Sequence, residues 1–226
     1  NQTYEELNNF TNSVAAIPSG QDGKWDFSLK DNGASANTAY CLRIVKSDGT
    51  VLDTYNVIPQ ITTASAAATV SCSTNVTSTS FGNITTGSIF TSSPNVSSTI
   101  SCSGTASGCS LYVQDAGNGS NPGLYKSTSP TYLIVSTDAT LSGTSDGYGI
   151  QAATTTAGSG GILTLNSKYN KTGNDVGGLT TTTITLASST ADVTGREVII
   201  THKASVSGTS PSGDYSDTIT YSCVAN

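Results

Sequence analysis

Residues 179–186 read LTTTTITL and residues 215–223 read YSDTITYSC. In both, an apolar or β-branched residue alternates with a hydroxyl or an acid. A period of two with β-branched residues is the pattern of a strand that buries one face and wets the other. Working outward, the same pattern recurs at residues 96–102, 109–114, 132–136, 148–152, 162–165, 197–204 and 214–224. Gly, Pro and Asn clusters separate these runs at roughly the spacing expected of a sandwich. Residues from about Val70 to Asn226 therefore predict at least eight strands and no helix, closed as two packed sheets.

Composition agrees with an all-β chain outside the cell. Ser and Thr make up roughly a third of the residues, beside one His, one Trp and no Met among 226. Charged residues are 11%, well below the roughly 25% of ordinary soluble domains. The net charge of -6 and a pI near 4.4 argue against nucleic acid as a partner, since its phosphates need clustered Lys and Arg. No run approaches the roughly 20 apolar residues of a membrane span, so no membrane insertion of the mature chain is expected. Residue 1 is Asn, and we read the chain as already processed at its N-terminus.

Three segments are expected: an extended N-terminal piece over 1–20, a small β domain over 21–69, and the sandwich over 70–226. In 21–69, Trp25, Phe27 and Leu29 share one face of a strand. Residues 39–45 and 50–58 flank Asp48-Gly49, the strongest short hairpin signal, and Pro59 is expected to end the second strand. About three strands cannot cover their own apolar face. In the first piece, Tyr4, Leu7 and Phe10 fit a helical turn, whereas Phe10, Asn12 and Val14 fit a strand; its asparagines favour an extended or irregular path. Residues 64–69 (ASAAAT) read as a linker or as a strand passing between domains.

Five cysteines are present, none in a Cys-x-x-Cys pair, and one His cannot complete a common zinc set. Disulfides are the expected fate in an exported chain. First and last strands of a sandwich often lie side by side, which favours Cys72–Cys223. Cys102 and Cys109 flank SGTASG and are placed to close a hairpin. Cys41 is left over, either buried and reduced or bonded between chains.

The stretch Ser80-Phe81-Gly82-Asn83-Ile84-Thr85-Thr86-Gly87 and the close Gly213-Asp214-Tyr215-Ser216-Asp217-Thr218-Ile219-Thr220-Tyr221 resemble the first and last strands of bacterial exported surface sandwiches of the WxL-like and spore-coat-U or pilin-like kind. That resemblance covers about residues 72–226. Residues 21–27 (QDGKWDF) and 38–44 (TAYCLRI) are similar to the closing half of an immunoglobulin- or fibronectin-like repeat of large bacterial surface proteins. Together they imply two Ig-like antiparallel β-sandwich domains, the N-terminal one incomplete. The only Trp lies outside the second segment, so the WxL signature and its peptidoglycan binding do not carry over.

No residue pattern points to catalysis or a cofactor. His202 lies in a strand, VIITHK, without the Gly-x-Ser-x-Gly context of a hydrolase, and reads as structural. The acids sit mostly in turns, such as Asp48-Gly49, Asp146-Gly147 and Asp214, where turn chemistry explains them. The loop DAGNGSNP offers Asp115, Asn118 and Asn121 as calcium ligands, although the same residues build plain turns. Asn-x-Ser/Thr sequons fall at Asn1, Asn9, Asn75, Asn83, Asn95, Asn118 and Asn170; about five of them are expected by chance in so Ser/Thr-rich a chain. Tyr4, Tyr55, Tyr125, Tyr148 and Tyr169 are weighed as a sugar-binding platform against tyrosines packed over the core.

The expected function is that of a structural subunit of an extracellular filament, pilus or surface array, joined head-to-tail by strand addition. The chain is its own partner. Tyr4, Leu7, Phe10 and Val14 carry the donor segment, and the Trp25, Phe27 and Leu29 face is the acceptor. The alternative is a surface adhesin that binds glycan or a host or neighbouring cell through tyrosine-lined loops.

Overall fold

The computed structural model describes residues 10–13, 28–31, 38–41, 60–62 and 67–226. The chain divides into two compact units, Asn1–Ala67 and Ala68–Asn226. Among the described residues the protein is all-β, without a helix, and its strand ladders are antiparallel.

In the first unit, β1 (Phe10–Ser13) pairs with β2 (Ser28–Asp31), Asn12 opposite Leu29. β3 (Ala39–Cys41) pairs with β4 (Gln60–Thr62). Phe10–Ser13 thus takes the extended alternative. Residues 42–59, with the expected hairpin strand over 50–58 and its end at Pro59, lie outside the described residues. Tyr4, Leu7, Val14, Trp25, Phe27 and the Asp48-Gly49 turn lie outside the described residues, as do the side chains of Phe10, Leu29 and Cys41.

The second unit holds β5 (Thr69–Thr74), β6 (Ile89–Thr91), β7 (Val96–Ser103), β8 (Cys109–Asp115), β9 (Gly123–Lys126), β10 (Tyr132–Val135), β11 (Ala139–Thr140), β12 (Gly147–Thr154), β13 (Ser159–Gly160), β14 (Thr164–Leu165), β15 (Asp175–Val176), β16 (Ile184–Ser189), β17 (Val193–Ser205) and β18 (Ile219–Ala225). One sheet runs β12-β17-β7-β5, with β6 and β13 also on β17; the other runs β14-β16-β8-β18. Alternation sends one row of each strand inward: Val96, Ile100 and Cys102 from β7, Leu111 and Val113 from β8, Val198, Ile200 and Ala204 from β17. These rows meet Ile134, Ile150, Tyr169, Leu179 and Leu186 in one core.

The two runs that identified the fold begin later than their alternation implies. β16 starts at Ile184 and β18 at Ile219. In 179–183 the threonines are held by other partners: Thr180 Oγ1 donates to the Thr182 carbonyl at 2.6 Å, and Gln114 Nε2 donates to the Thr181 carbonyl at 2.8 Å. Short hydroxyl side chains compete in this way with ladder formation. Ahead of β18, Tyr125 and Ser216 form an isolated bridge, and the Tyr215 hydroxyl donates to the Pro211 carbonyl at 2.7 Å. Residues 162–165 yield only Thr164–Leu165. The short strands β6, β9, β11, β13 and β15 were not anticipated, because two to four residues are too few to show a period.

Candidate functional site

Among the described residues β5 is paired only with β7, and β18 only with β8, so each closes its sheet with an edge that no described strand covers. Both edges lie on the same side of the sandwich, where the Cys72–Cys223 disulfide ties them with Cα atoms 6.1 Å apart. Beside them opens a groove of about 1400 Å³. Its walls are residues 72–86 on one side and 206–221 on the other. Its floor is the core itself, reached at Val96, Leu124, Ile134, Tyr148, Ile219 and Tyr221. Phe81 packs edge-on against Tyr148, with ring centroids 6.2 Å apart.

The wall formed by 207–213 is pinned by Asp146. Its carboxylate accepts from Tyr132 Oη at 2.6 Å, Ser207 N at 2.6 Å and Ser210 Oγ at 2.5 Å. Burial opposes the charge, but those hydrogen bonds outweigh it and hold Asp146 below the usual carboxylate range.

The floor is not wholly apolar. On four strands or their continuations the inward row carries a polar residue: Ser98 on β7, Asp115 on β8, His202 on β17, and Asp217 two residues ahead of Ile219 on β18; Ser98, His202 and Asp217 line the groove, and Asp115 lies next to Asp217. The Oγ of Ser98, Nδ1 of His202 and Oδ2 of both aspartates are buried without a hydrogen-bond partner. His202 stacks on Tyr148 with centroids 6.5 Å apart, and its Nε2 meets the Tyr221 hydroxyl at 3.4 Å. Burial pulls its pKa down to about 4, so the imidazole is neutral. Burial likewise raises Tyr148 well above its ordinary range, with Asp217 and Asp115 adding to the shift, and raises Tyr221.

Asp115 is 1% exposed. Its pKa is pushed up to about 7, first by burial, then by a hydrogen bond to Asp217 and by that residue's charge; amides of Gly123 and Gly117 pull weakly the other way. Sequence reasoning missed this pair, because 102 residues separate its members. The legible signal was phase: each aspartate extends an otherwise apolar inward row.

Other sequence-stated candidates fall apart or stand alone. The loop after β8 turns on itself: Asn118 Oδ1 accepts from Ser120 N at 3.0 Å and Asn121 N at 2.8 Å. Among the described residues no three His, Cys, Asp or Glu side chains gather to hold a metal. Tyr148 lines the groove, but Tyr169 is fully buried, its hydroxyl donating to the Gly178 carbonyl at 3.4 Å. Tyr125 is half-buried, Tyr148 and Tyr169 are buried and so do not share an exposed platform, and Tyr4 and Tyr55 lie outside the described residues. Asn75, Asn83, Asn95, Asn118 and Asn170 are all exposed. Cys102 and Cys109 are joined, but β7 and β8 belong to different sheets and do not pair, so the bond closes a turn that crosses from one sheet to the other and not the expected hairpin. His202 makes its hydrogen bond to a tyrosine, with no serine or carboxylate paired to it.

The chain matches no protein-family model, no curated protein and no solved structure.

Proposed function

We propose that this protein is the structural subunit of an extracellular filament, pilus or surface array, and that its subunits join head-to-tail by strand complementation. The observation that carries this reading is the groove that opens beside the free edges of β5 and β18. A sheet edge offers a row of unpaired main-chain groups. Here two such edges flank core side chains that an inserted strand would cover. Main-chain hydrogen bonds give such a joint its strength, and alternate side chains set its register. A contact of this kind does not close on itself, so it propagates.

The two disulfides are compatible with an extracellular protein. So is the fact that no helix among the described residues is long and apolar enough to cross a membrane. The groove is a second candidate acceptor, in addition to the Trp25, Phe27 and Leu29 face expected from the sequence. β1 pairs with β2 of its own chain; as a donor it either leaves that partner or makes the same pairing between chains.

A second reading, a surface adhesin that binds glycan, draws on the same groove. Tyr148, Tyr215 and Tyr221 line it among many hydroxyls, and Asp214 stands at its mouth. Amphipathic rings beside hydroxyls suit a sugar.

Negative-stain electron microscopy, with the same sample run unboiled and non-reduced on a gel, separates the two. Regular fibres and a high-mass ladder support the filament. Monodisperse particles of 22.9 kDa that give a glycan-array signal, lost in Tyr215→Ala, support the adhesin.

A further inference from the structure

We propose that Asp115 and Asp217 form a proton-operated latch that holds the start of the closing strand against β8 at the floor of the groove. One proton is shared: Asp115 Oδ2–H donates to Asp217 Oδ2. Both oxygens are buried without a hydrogen-bond partner while the two carboxyls are ionised. The two side chains lie within hydrogen-bonding reach of each other, and the Tyr148 hydroxyl is the other side-chain donor near Asp217. A buried carboxylate oxygen left without a donor is costly, and a proton between the two satisfies both.

The carboxyls are not free to turn apart. Asp115 Oδ1 accepts from Gly123 N at 3.3 Å, and Asp217 Oδ1 accepts from Gly117 N at 3.1 Å. The latch sits where β18 joins its sheet. Ile219 is opposite Asp115, and Ala116 N donates to the Thr218 carbonyl at 2.9 Å. It therefore links the loop over 116–123 to the groove wall that ends at Asp217.

When the proton leaves, two like charges remain side by side in a buried site. The titratable groups facing them are Tyr148 from β12, Tyr169 from the turn before β15, Tyr221 from β18 and His202 from β17, with Asp138 behind Tyr169. None is positive at neutral pH, since the imidazole is neutral there. No lysine or arginine is among the groups acting on Asp115. Repulsion is relieved by separation, and the element with a free edge is the one that moves. The first rungs of β18 and the Tyr125–Ser216 bridge loosen, and the groove floor widens. The proton escapes to water through the groove, which Asp217 lines.

The test is amide hydrogen exchange on the full chain, corrected for intrinsic rates, at pH 5.5 and 8.5. In the wild type, protection over residues 116–123 and 217–221 is expected to fall at least tenfold at the higher pH. In Asp115→Asn the amide donates to Asp217 at any pH, so protection there should not change. Equal protection at both pH values in the wild type, or a fall in Asp115→Asn like that of the wild type, overturns the latch. Asp217→Asn is the second variant should the first not fold. The wild-type carboxyl carbon shift decides independently: Asp115 should titrate near neutrality, and titration in the ordinary carboxylate range refutes the proposal.

Discussion

Cys72 of β5 and Cys223 of β18 join the edge strands of two different sheets across a sequence separation of 151. Cys102 and Cys109 close a loop with a separation of only 7. On the chain-entropy account the first constrains the unfolded chain by about 5 kcal/mol and the second by about 2.5 kcal/mol. Replacing Cys72 and Cys223 together by Ser should therefore lower unfolding free energy about twice as much as replacing Cys102 and Cys109. Denaturant unfolding of the two double variants checks the order. Equal losses would mean that native-state geometry, not loop length, sets the contribution.

The pH dependence of stability should be flat in the wild type where neither buried group alone is. Asp115 has a folded pKa of about 7 against an ordinary 3.8. The folded state holds its proton more tightly, so its contribution is complete below pH 3.8 and is lost as pH rises to about 7. His202 has a folded pKa of about 4 against an ordinary 6.5. The unfolded state binds its proton more tightly, so its contribution is complete above 6.5 and is lost as pH falls to about 4. Between about pH 4 and 6.5 the slopes oppose each other, each about 1.4 kcal/mol per pH unit. Asp115→Asn should expose the His202 slope, with stability rising with pH. His202→Gln should expose the Asp115 slope, with stability falling. Chemical denaturation at four pH values reads both, and a wild type with a steep slope over this range would refute the cancellation.

The class of the fold was legible because a period of two survives local irregularity. In β7, β8 and β17 the inward row could be written from sequence, and the long strands follow it. Boundaries were not legible where hydroxyls compete with the ladder, as at Thr180 to Thr183. The candidate site was the least visible part. Ser98, Asp115, His202 and Asp217 come from four strands or their extensions, and only tertiary pairing brings Ser98, His202 and Asp217 to one groove with Asp115 next to Asp217. What each showed alone was a polar residue in an apolar phase. At Asp115 that signal was masked by the Gly/Asn loop that follows it.

Gly117 supplies the amide that holds Asp217. Its φ is +48°, in the left-handed region, and a Cβ there would lie 1.9 Å from the Asn121 carbonyl oxygen. Gly117→Ala must therefore move the loop backbone as well as bear the strain of a non-glycine residue, itself roughly 1–3 kcal/mol. Gly119, two residues on, has φ +87° but nothing within 4 Å of a Cβ. Gly119→Ala carries the strain alone. Thermal unfolding should rank Gly117→Ala well below Gly119→Ala. Only the former should perturb the backbone amide resonances of residues 217–219. Equal midpoints would show that the loop yields without cost, and would weaken the case that it braces the closing strand.

Removal of residues 1–14 tests the donor assignment against the groove. The core cluster of the second unit draws entirely on residues from Val70 onward, so the truncated chain should keep its unfolding midpoint for that unit. Polymers should disappear if the N-terminal segment is the donor. A synthetic peptide of residues 1–14 should then bind the truncated chain and raise that midpoint, by about 2.7 kcal/mol of stabilisation at a hundredfold excess over its Kd. Fibres that persist after the deletion would remove this segment as donor while leaving the groove as acceptor for another strand. Loss of fibres with peptide binding that leaves the second unit's midpoint unchanged would place the joint on the β1–β2 pairing, where Asn12 is opposite Leu29. There the exchange is between first units, and the groove beside β5 and β18 is left free for the glycan reading.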